Sequence, residues 1–306
     1  MKLDGIHHIT AITADAQANV DFYVGVLGLR LVKKTVNQDS PDVYHLFYAD
    51  EQGSSGSDLT FFEFPGAAVG RAGAGMVHRV VWRIGAVDGL DFWLNRLTGA
   101  GLDPRLEADR LRFADQEGLE HELVVDRSGD EPLLATHPDI PENAALRGFD
   151  GVRAFAQTPE RSRQMLEDTL GFVPREQGRW ESRGARRGGF YAYDDPPAER
   201  PLQGAGTIHH VAWASLQADQ DAWQRRVEQA RLGPTPVIDR HYFKSVYFRE
   251  PSGVLFEIAT VGPGFTVDEP LERLGDTLSL PPFLESRRPE IEAGLTPLSN
   301  PRRAAT

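Results

Sequence analysis

The sequence predicts an α+β fold built from four βαβββ modules. The apolar pattern gives the order strand, helix and three strands over roughly the first sixty residues. The same order then recurs three times along the 306 residues, as expected for a unit that cannot cover its own sheet. Copies two and four also align directly. AGMVHRVVW at 74–82 matches AGTIHHVAW at 205–213, and LRFADQEGLEHELVV at 111–125 matches VYFREPSGVLFEIAT at 246–260.

The predicted modules occupy residues 1–70, 71–135, 145–200 and 201–262. Strands of the first module are expected at 5–12, 30–36, 43–49 and 59–64, around a helix at 15–27 that Gly28 ends. Helices of the other modules are expected at 88–98, 159–170 and 219–230. Residues 263–306 contain seven prolines that break any long element, so this segment is predicted to wrap over the modules or to form a dimer arm.

Composition limits the function classes. The hydrophobic content of 40% and charged content of 25% are typical of a soluble globular protein, and the net charge of −12 disfavours nucleic acid or an anionic membrane as a partner. With no cysteine, the metal ligands available are His, Asp and Glu. The first residues lack a signal-peptide pattern and no apolar run is long enough to span a bilayer, so a cytoplasmic location is expected.

Glu257 is the most informative single residue. It lies in the second strand of a predicted hairpin at 239–260, flanked by Phe256 and Ile258. A carboxylate inside an apolar strand is costly to bury unless a cation or several donors satisfy it. An arginine partner and a metal ion are both consistent with this position.

Two histidine pairs offer partners for that carboxylate. IHHIT at the start of the first copy aligns with IHHVA in the fourth, so His8 matches His210. Because strand side chains alternate, one imidazole of each pair faces a given side, and choosing His8 and His210 places small residues beside both. Two neutral imidazoles and one carboxylate form the facial triad that suits Fe(II) oxygen chemistry.

In the second copy, Arg79 takes the place of His210 and Glu122 that of Glu257. An ion pair between them is therefore predicted in a vestigial site. His78 and His121 belong to this copy. His45, His137 and His241 are predicted to be surface or hydrogen-bonded loop residues.

The motifs together resemble the vicinal oxygen chelate superfamily, and more closely its ring-cleaving hydroquinone 1,2-dioxygenase branch. They are HHIT at 7–10, HHVA at 209–212, DRHYFKSVYFREPSG at 239–253, LFEIAT at 255–260, GPGF at 262–265 and LPPFLESRRPEIE at 280–292. The resemblance covers nearly the whole chain. It implies two curved-sheet barrels, with ligands in copies one and four bringing those two modules together.

The resemblance also implies Fe(II) held by His8, His210 and Glu257, with Mn(II), Zn(II) or Ni(II) as substitutes. Surrounding residues implied by it are His7, Thr10, His209, Arg240 and Tyr247. Arg240 offers a rigid fork of donors for a phenolate, and Tyr247 and His209 offer proton-transfer groups. The expected substrates are a small aromatic diol and O₂, in a homodimer or higher homo-oligomer. Phe61, Phe243 and Phe265 are candidates for the wall of a ring pocket, and each of them is equally consistent with a place in the core.

Two other functions fit the same fold. A glyoxalase-type isomerase would use Zn(II) or Ni(II) and a fourth ligand from the last strand of copy one. A gapless alignment places Thr60 against Glu257, whereas a three-residue slide places Glu63 there. A non-catalytic drug-binding resistance protein would need no reactive metal, and the intact triad argues against it.

Overall fold

A computed structural model of the chain describes residues 1–176 and 178–304. The strands in these ranges are β1 (Ile6–Thr13), β2 (Arg30–Asn37), β3 (Ser40–Ala49), β4 (Asp58–Glu63), β5 (Val77–Ile84), β6 (Arg105–Glu107), β7 (Arg110–Ala114), β8 (Glu120–Val125), β9 (Leu146–Phe155), β10 (Val173–Arg175), β11 (Arg179–Arg183), β12 (Gly188–Asp194), β13 (Ile208–Ser215), β14 (Ile238–Asp239), β15 (Lys244–Arg249) and β16 (Leu255–Thr260). The α-helices are α1 (Ala16–Val20), α2 (Asp88–Gly99), α3 (Gln220–Gln229), α4 (Arg288–Gly294) and α5 (Pro301–Ala304).

The strands form two eight-stranded sheets. The first has the order β14-β15-β16-β13-β1-β4-β3-β2, and the second has the order β10-β11-β12-β9-β5-β8-β7-β6. Antiparallel pairing of β1 with β13 joins the first copy to the fourth, and pairing of β5 with β9 joins the second to the third. The predicted α+β fold is confirmed, as is the pairing of copies one and four.

The helices pack through apolar faces at helical spacing. On α2, Leu90, Trp93 and Leu97 are buried, and on α3 Trp223 and Val227 are buried. Such a stripe, one residue every three or four positions, covers one side of a sheet and leaves the polar side in water. The opposite face of the first sheet is therefore free to line a central space.

Copies one and three share a helix ending that differs from a regular α-helix. A π-helical turn over Asp21–Val26 follows α1, and a second over Met165–Thr169 follows a 3₁₀ turn at Pro159–Ser162. Leu27 N–H donates to Phe22 O at 2.9 Å and Leu170 N–H donates to Met165 O at 3.0 Å. Each turn ends at a glycine with positive φ, Gly28 or Gly171. The helix predicted at 159–170 is confirmed as an unbroken helical run over 159–169, which widens into a π-helical turn before the shared LG ending.

The segment after β16 lies against β2 and β3. Lys33 on β2 is fully buried, and its Nζ donates to Asp268 at 2.6 Å, to Glu269 at 2.5 Å and to the Phe265 carbonyl at 3.2 Å. Asp268 also accepts the Tyr242 hydroxyl at 2.9 Å. This cluster ties the C-terminal segment to the loop before β15. Among the described residues, no helix is both long and apolar enough to cross a membrane.

Candidate metal centre

The three predicted ligands lie on neighbouring strands of the first sheet. His8 on β1 pairs with Ala212 on β13, and Ala212 pairs in turn with Glu257 on β16. His210 is two residues before Ala212, so its side chain is on the same face. Ala212 is small and leaves the space between the longer side chains open. Sheet register therefore brings residues from the two ends of the chain to one point.

The distances between the ligand atoms fit one metal ion. His8 Nε2 lies 3.2 Å from Glu257 Oε2, His210 Nε2 lies 2.9 Å from the same oxygen, and the two Nε2 atoms are 3.3 Å apart. Ligand atoms about 2.0–2.2 Å from one ion, at angles between a right angle and the tetrahedral value, are about 2.8–3.6 Å apart. All three separations fall in this range.

Burial of Glu257 supports the same conclusion. The residue is fully buried, and neither carboxylate oxygen has a well-aligned hydrogen bond among the described residues. His8 and His210 are also almost fully buried, at 2% and 4% exposure. An ionised carboxylate without donors is costly in such a place, and a cation removes that cost. The donor set present fits a divalent metal.

Each candidate ligand histidine is held by the histidine that precedes it. His8 Nδ1 lies 2.9 Å from His7 Nδ1, and His210 Nδ1 lies 2.8 Å from His209 Nδ1. His7 Nε2 is 3.1 Å from the Thr260 carbonyl, to which it donates. His7 Nδ1 is then an acceptor, so His8 carries its proton on Nδ1 and leaves Nε2 free for a metal. His209 is exposed, and its ring lies 5.7 Å from that of Phe62.

The electrostatics favour the protonation states that bind metal. Burial, together with the neighbouring His8, lowers the pKa of His7 to about 3. Burial also lowers the pKa of His210. Burial alone would raise the pKa of Glu257, but the adjacent His8 and His210 hold it well below its usual range. A neutral His210 and an ionised Glu257 are the forms that coordinate a metal.

A cavity of about 50 Å³ opens beside these side chains. Thr10, Arg240 and Tyr247 line it with the two candidate ligand histidines. Burial, followed by the charge of Glu257, raises the pKa of Tyr247, which keeps its hydroxyl protonated. The Arg240 guanidinium donates to Asp39 at 3.0 and 3.2 Å, so its fork is held at the mouth of the cavity. The predicted residues thus surround one space, except for His7 and His209, which lie behind it.

The aromatic candidates divide between three places. Phe243 lines the small cavity, and its ring centroid is 5.0 Å from that of His8. Tyr242 and Phe243 also line an adjoining cavity of about 520 Å³, which Phe265 borders as well. Phe61 packs in the core against Tyr23, so of its two expected places, the pocket wall and the core, the structure shows the core. Strand alternation turns Phe61 to the helix side of the sheet, and its neighbour Phe62 faces the site.

Sequence reasoning missed His45. It was predicted to be a surface or loop residue, but it lies on β3, half-buried, and lines the small cavity. Its ring packs between Phe47 and Phe62, at centroid distances of 4.0 and 4.3 Å. The alternation of Val43, His45 and Phe47 shows that these residues share a face of β3. It does not show that this face looks onto the ligands.

No fourth carboxylate from copy one joins the group in the described residues. Thr60 on β4 pairs with Thr10 and occupies the position equivalent to Glu257. Glu63 is three residues further along, on the other face of β4, where it accepts the Ala16 N–H at 3.2 Å. The gapless alignment is therefore confirmed.

The second sheet carries the predicted ion pair at the equivalent place. Arg79 donates to Glu122 at 3.2 Å, and Arg110 and Arg112 contact the same carboxylate at 3.2 Å each. Gly151 stands where the first sheet has His8, and a Cβ there would lie 2.4 Å from the Phe190 ring. The imidazole positions are thus replaced by an arginine and a glycine.

The remaining histidines lie outside both sites. His121 is buried in the core, 3.0 Å from the Tyr23 hydroxyl, and His78 bonds to Asp194 at 2.8 Å. His137 and His241 lie in loops, as predicted.

Paired βαβββ modules around a convergent His-His-Glu group define a protein of the vicinal oxygen chelate class. A profile of the Glyoxalase/Bleomycin resistance protein/Dioxygenase superfamily matches residues 5–127 and 148–258. The chain belongs to this superfamily.

The relatives extend over almost the full chain. It is 41% identical to a candidate ring-cleaving dioxygenase, MhqA, of Bacillus subtilis, covering 97% of this chain and 100% of that protein. It is 32% identical to the chlorohydroquinone/hydroquinone 1,2-dioxygenase of Sphingobium indicum, covering 95% of each.

Solved structures agree with the fold. The crystal structure of a candidate dioxygenase from Bacillus subtilis matches with a TM-score of 0.90 at 39% identity, covering 97% of this chain and 98% of that one. Glyoxalase I of Zea mays matches with a TM-score of 0.56 at 14% identity, covering 84% and 92%. The second similarity shows the fold alone. The resemblance to the ring-cleaving branch of the superfamily is confirmed by the full-length relatives.

Proposed function

We propose that the protein is an Fe(II)-dependent dioxygenase that opens the ring of a hydroquinone or a related aromatic diol with O₂. The observation that carries this proposal is the convergence of two imidazole nitrogens and one carboxylate oxygen, all buried, beside a cavity where the described residues supply no fourth ligand. Full-length relatives named ring-cleaving dioxygenases support a dioxygenase function. Because both atoms of O₂ enter the ring-opened product, the reaction needs no external reductant.

The proposed ligands are His8, His210 and Glu257. A ferrous ion held by them would bring the diol and O₂ together and let electrons pass between the two. His7 and His209 orient the ligand imidazoles by accepting hydrogen bonds from their Nδ1–H groups. This leaves both Nε2 atoms aimed at one position.

The cavity residues act on the ring and on developing charge. The Arg240 fork stabilises negative charge on a ring oxygen, since a guanidinium stays protonated and points its donors in one plane. Tyr247, kept protonated by burial, donates a hydrogen bond to oxygen atoms that gain negative charge during ring opening. Thr10, adjacent to the ligands, contacts the hydroxyl of the diol. An aromatic ring needs more room than the small cavity of about 50 Å³ offers. The adjoining cavity of about 520 Å³, which Phe243 also lines, supplies that room when the Phe243 side chain rotates.

The test compares wild type with Glu257→Gln. Protein is stripped of metal, loaded anaerobically with Fe(II) and assayed for bound iron and for oxygen uptake with hydroquinone. The variant keeps the side-chain shape but loses the charge, so we expect iron affinity to fall by at least about a hundredfold, since weaker changes around metal sites already cost 10–100-fold. Oxygen uptake should be lost with the iron.

Glu63→Gln is the matched control, because Glu63 lies on the other face of β4 and contacts the Ala16 amide. It should bind iron and consume oxygen like wild type. Iron-loaded wild type that consumes no oxygen with any hydroquinone or catechol would show the proposed function to be wrong. Iron retained by Glu257→Gln would show that the ligand set is wrong.

A further inference from the structure

The small cavity beside the candidate metal centre has a much larger neighbour, which we call the outer cavity. Its volume is about 520 Å³, compared with about 50 Å³ for the small cavity. A cavity of about 150 Å³ is enough to hold benzene. The outer cavity therefore has room for an aromatic ring together with a substituent, and an unsubstituted hydroquinone would leave most of it unfilled.

Phe243 stands between the two cavities and lines both. Its ring centroid is 5.0 Å from that of His8, which lines the small cavity, and 5.2 Å from that of His7, which lines the outer cavity. Tyr242 lines both cavities as well, but its hydroxyl donates to Asp268 at 2.9 Å. The Phe243 side chain has no polar group that could hold it, so its rotation is the movement that joins the two cavities.

Apolar side chains from two distant parts of the chain line the outer cavity. Residues 261–265 follow β16 and contribute a valine, a proline and a phenylalanine, and Leu133 comes from the segment between β8 and β9. A Cβ placed at Gly262 or Gly264 would meet no heavy atom of the described residues within 4 Å. The space beside this segment is therefore open. An apolar group placed there leaves water without displacing protein atoms.

The charged groups around the outer cavity are already engaged. Arg186 donates to Asp4 at 2.9 Å. Arg187 donates to the backbone carbonyls of Glu131 and Arg147 at 2.9 and 2.7 Å, and its Nε is covered by protein. The carboxylates of Asp4 and Glu131 balance the two lining arginines in charge. An anionic substituent would have to break existing hydrogen bonds to reach either guanidinium, whereas an uncharged one would not.

We propose that the diol carries an uncharged apolar substituent, such as a branched alkyl or an aryl group, which occupies the outer cavity. Phe243 is then the gate that lets the ring reach the small cavity while the substituent stays in the outer one. This inference rests on the proposed function, because the ring is that of the diol beside the candidate ligands. It assigns that function a substrate class and a residue that decides specificity.

The key variants fill the outer cavity. Leu133 is half-buried in a loop, and Ser55 is half-buried in a turn; both line the outer cavity and neither lines the small one. The double variant Ser55→Trp/Leu133→Trp adds two large side chains, and each single variant keeps the test available where the double variant does not fold. Leu106→Trp on β6, at a position that is 42% exposed, is the matched control. Bound iron and circular dichroism are compared first.

The first readout is binding without turnover. Iron-loaded proteins are titrated calorimetrically under argon with hydroquinone, tert-butylhydroquinone, phenylhydroquinone and hydroquinonesulfonate. The tert-butyl and sulfonate groups have similar shapes and differ in charge. Wild type should bind the two apolar diols at least about tenfold more tightly than hydroquinone, because even one methylene in an apolar pocket is worth that much. It should bind the sulfonate no more tightly than hydroquinone.

The filled variants should lose this gain while binding hydroquinone like wild type, and Leu106→Trp should retain the gain. Equal affinity of wild type for hydroquinone and the two apolar diols would overturn the inference. Tighter binding of the sulfonate would overturn it as well, because the outer cavity would then select an anion. An unchanged preference in the double variant would place the substituent elsewhere and overturn it too.

The second readout is the ratio of kcat/KM for phenylhydroquinone to kcat/KM for hydroquinone, from oxygen uptake. The ratio should fall by at least about tenfold in the double variant. It should rise in Phe243→Leu, whose smaller side chain opens the gate, and an unchanged ratio there would overturn the gate. Oxygen uptake with every diol at one common affinity would leave the dioxygenase proposal standing without this inference. Tight binding of the apolar diols by a wild type that consumes no oxygen would overturn the dioxygenase proposal alone.

Discussion

Arg240 is a cation beside the cavity that Asp39 holds in one orientation. Its guanidinium donates hydrogen bonds to both carboxylate oxygens of Asp39, and its Cζ atom lies 5.7 Å from the centre of the Tyr247 ring. Burial alone would lower the pKa of Arg240, but its hydrogen bonds to Asp39 raise the pKa overall. A fixed cation at the mouth of the cavity stabilises anionic states of a bound ring without having to reorient.

Arg240→Lys should be damaging although it keeps the charge. An ammonium group on a flexible stem cannot hold both oxygens of Asp39 and face a ring oxygen at once. We expect turnover of hydroquinone to fall by about a hundredfold with bound iron unchanged. Oxygen uptake by iron-matched proteins measures this. Arg225→Lys, on the exposed side of α3, is the control and should behave like wild type. Full activity in Arg240→Lys would exclude Arg240 from the mechanism.

At the scale of elements, the two sheets use the same framework for different purposes. Glu257 and Glu122 hold equivalent positions beside β13 and β5, but Glu122 is surrounded by guanidinium groups. The second sheet satisfies its buried carboxylate with protein cations, so the carboxylate there holds strands together. The first sheet presents imidazoles at the corresponding place and leaves its carboxylate without aligned donors.

Glu122→Ala should therefore reduce stability. Glu122 is 3% exposed, and removing it leaves its arginines without their shared carboxylate, although Arg79 keeps Glu120 at 2.6 Å. Loss of one partner from a buried ion pair costs about 3 kcal/mol, and the partly exposed arginines reduce this to about 2 kcal/mol. Urea unfolding followed by circular dichroism measures the change.

The control is Asp103→Ala, because Asp103 and Arg105 form a pair whose side chains are 89% and 75% exposed. Its effect on the unfolding free energy should be close to zero. Iron binding and oxygen uptake by Glu122→Ala should match those of wild type at temperatures where the protein is folded. An unchanged urea midpoint would mean that the arginines hold the strands without the carboxylate.

At the scale of the whole molecule, the C-terminal segment packs along β2, the edge strand of the first sheet, where Lys34 and Leu278 form an isolated β-bridge. Lys33 joins β2 to Asp268 and Glu269, and Asp268 holds the hydroxyl of Tyr242 next to Phe243. The segment is thereby joined through Asp268 to Tyr242, which lines both cavities.

Lys33→Met tests this connection. Methionine fills similar space without charge, so it leaves Asp268 and Glu269 close together without their cation. We expect a loss of about 3 kcal/mol in unfolding free energy, faster proteolysis within residues 263–304, and lower oxygen uptake. Limited proteolysis with mass spectrometry locates the cuts. Lys2→Met, at an exposed position, is the control. Proteolysis at the wild-type rate would show that the segment is held by other contacts.

The local patterns of the sequence are enough for the modules, the histidine pairs and the buried carboxylate. Alternation with a period of two places His8 and Thr10 on one face of a strand, and the internal repeat aligns Arg79 with His210 and Glu122 with Glu257. Each of these predictions depends only on a short stretch or on a comparison between two stretches. Because none of them depends on how distant parts of the chain pack, the structure agrees with them.

Other features depend on which strand edges meet and how the sheet curves. The face of β3 that carries His45 could not be assigned to the site, and Asp39 gave no sign that it would clamp Arg240. Phe61 was a candidate for the pocket wall or the core, and the register of β4 decided for the core while turning Phe62 towards the cavity. Pairing of β1 with β13 joins residues some two hundred positions apart, and no local pattern encodes that contact. The residue pattern thus determines which side chains can do the chemistry, and the tertiary structure decides which of them share one cavity.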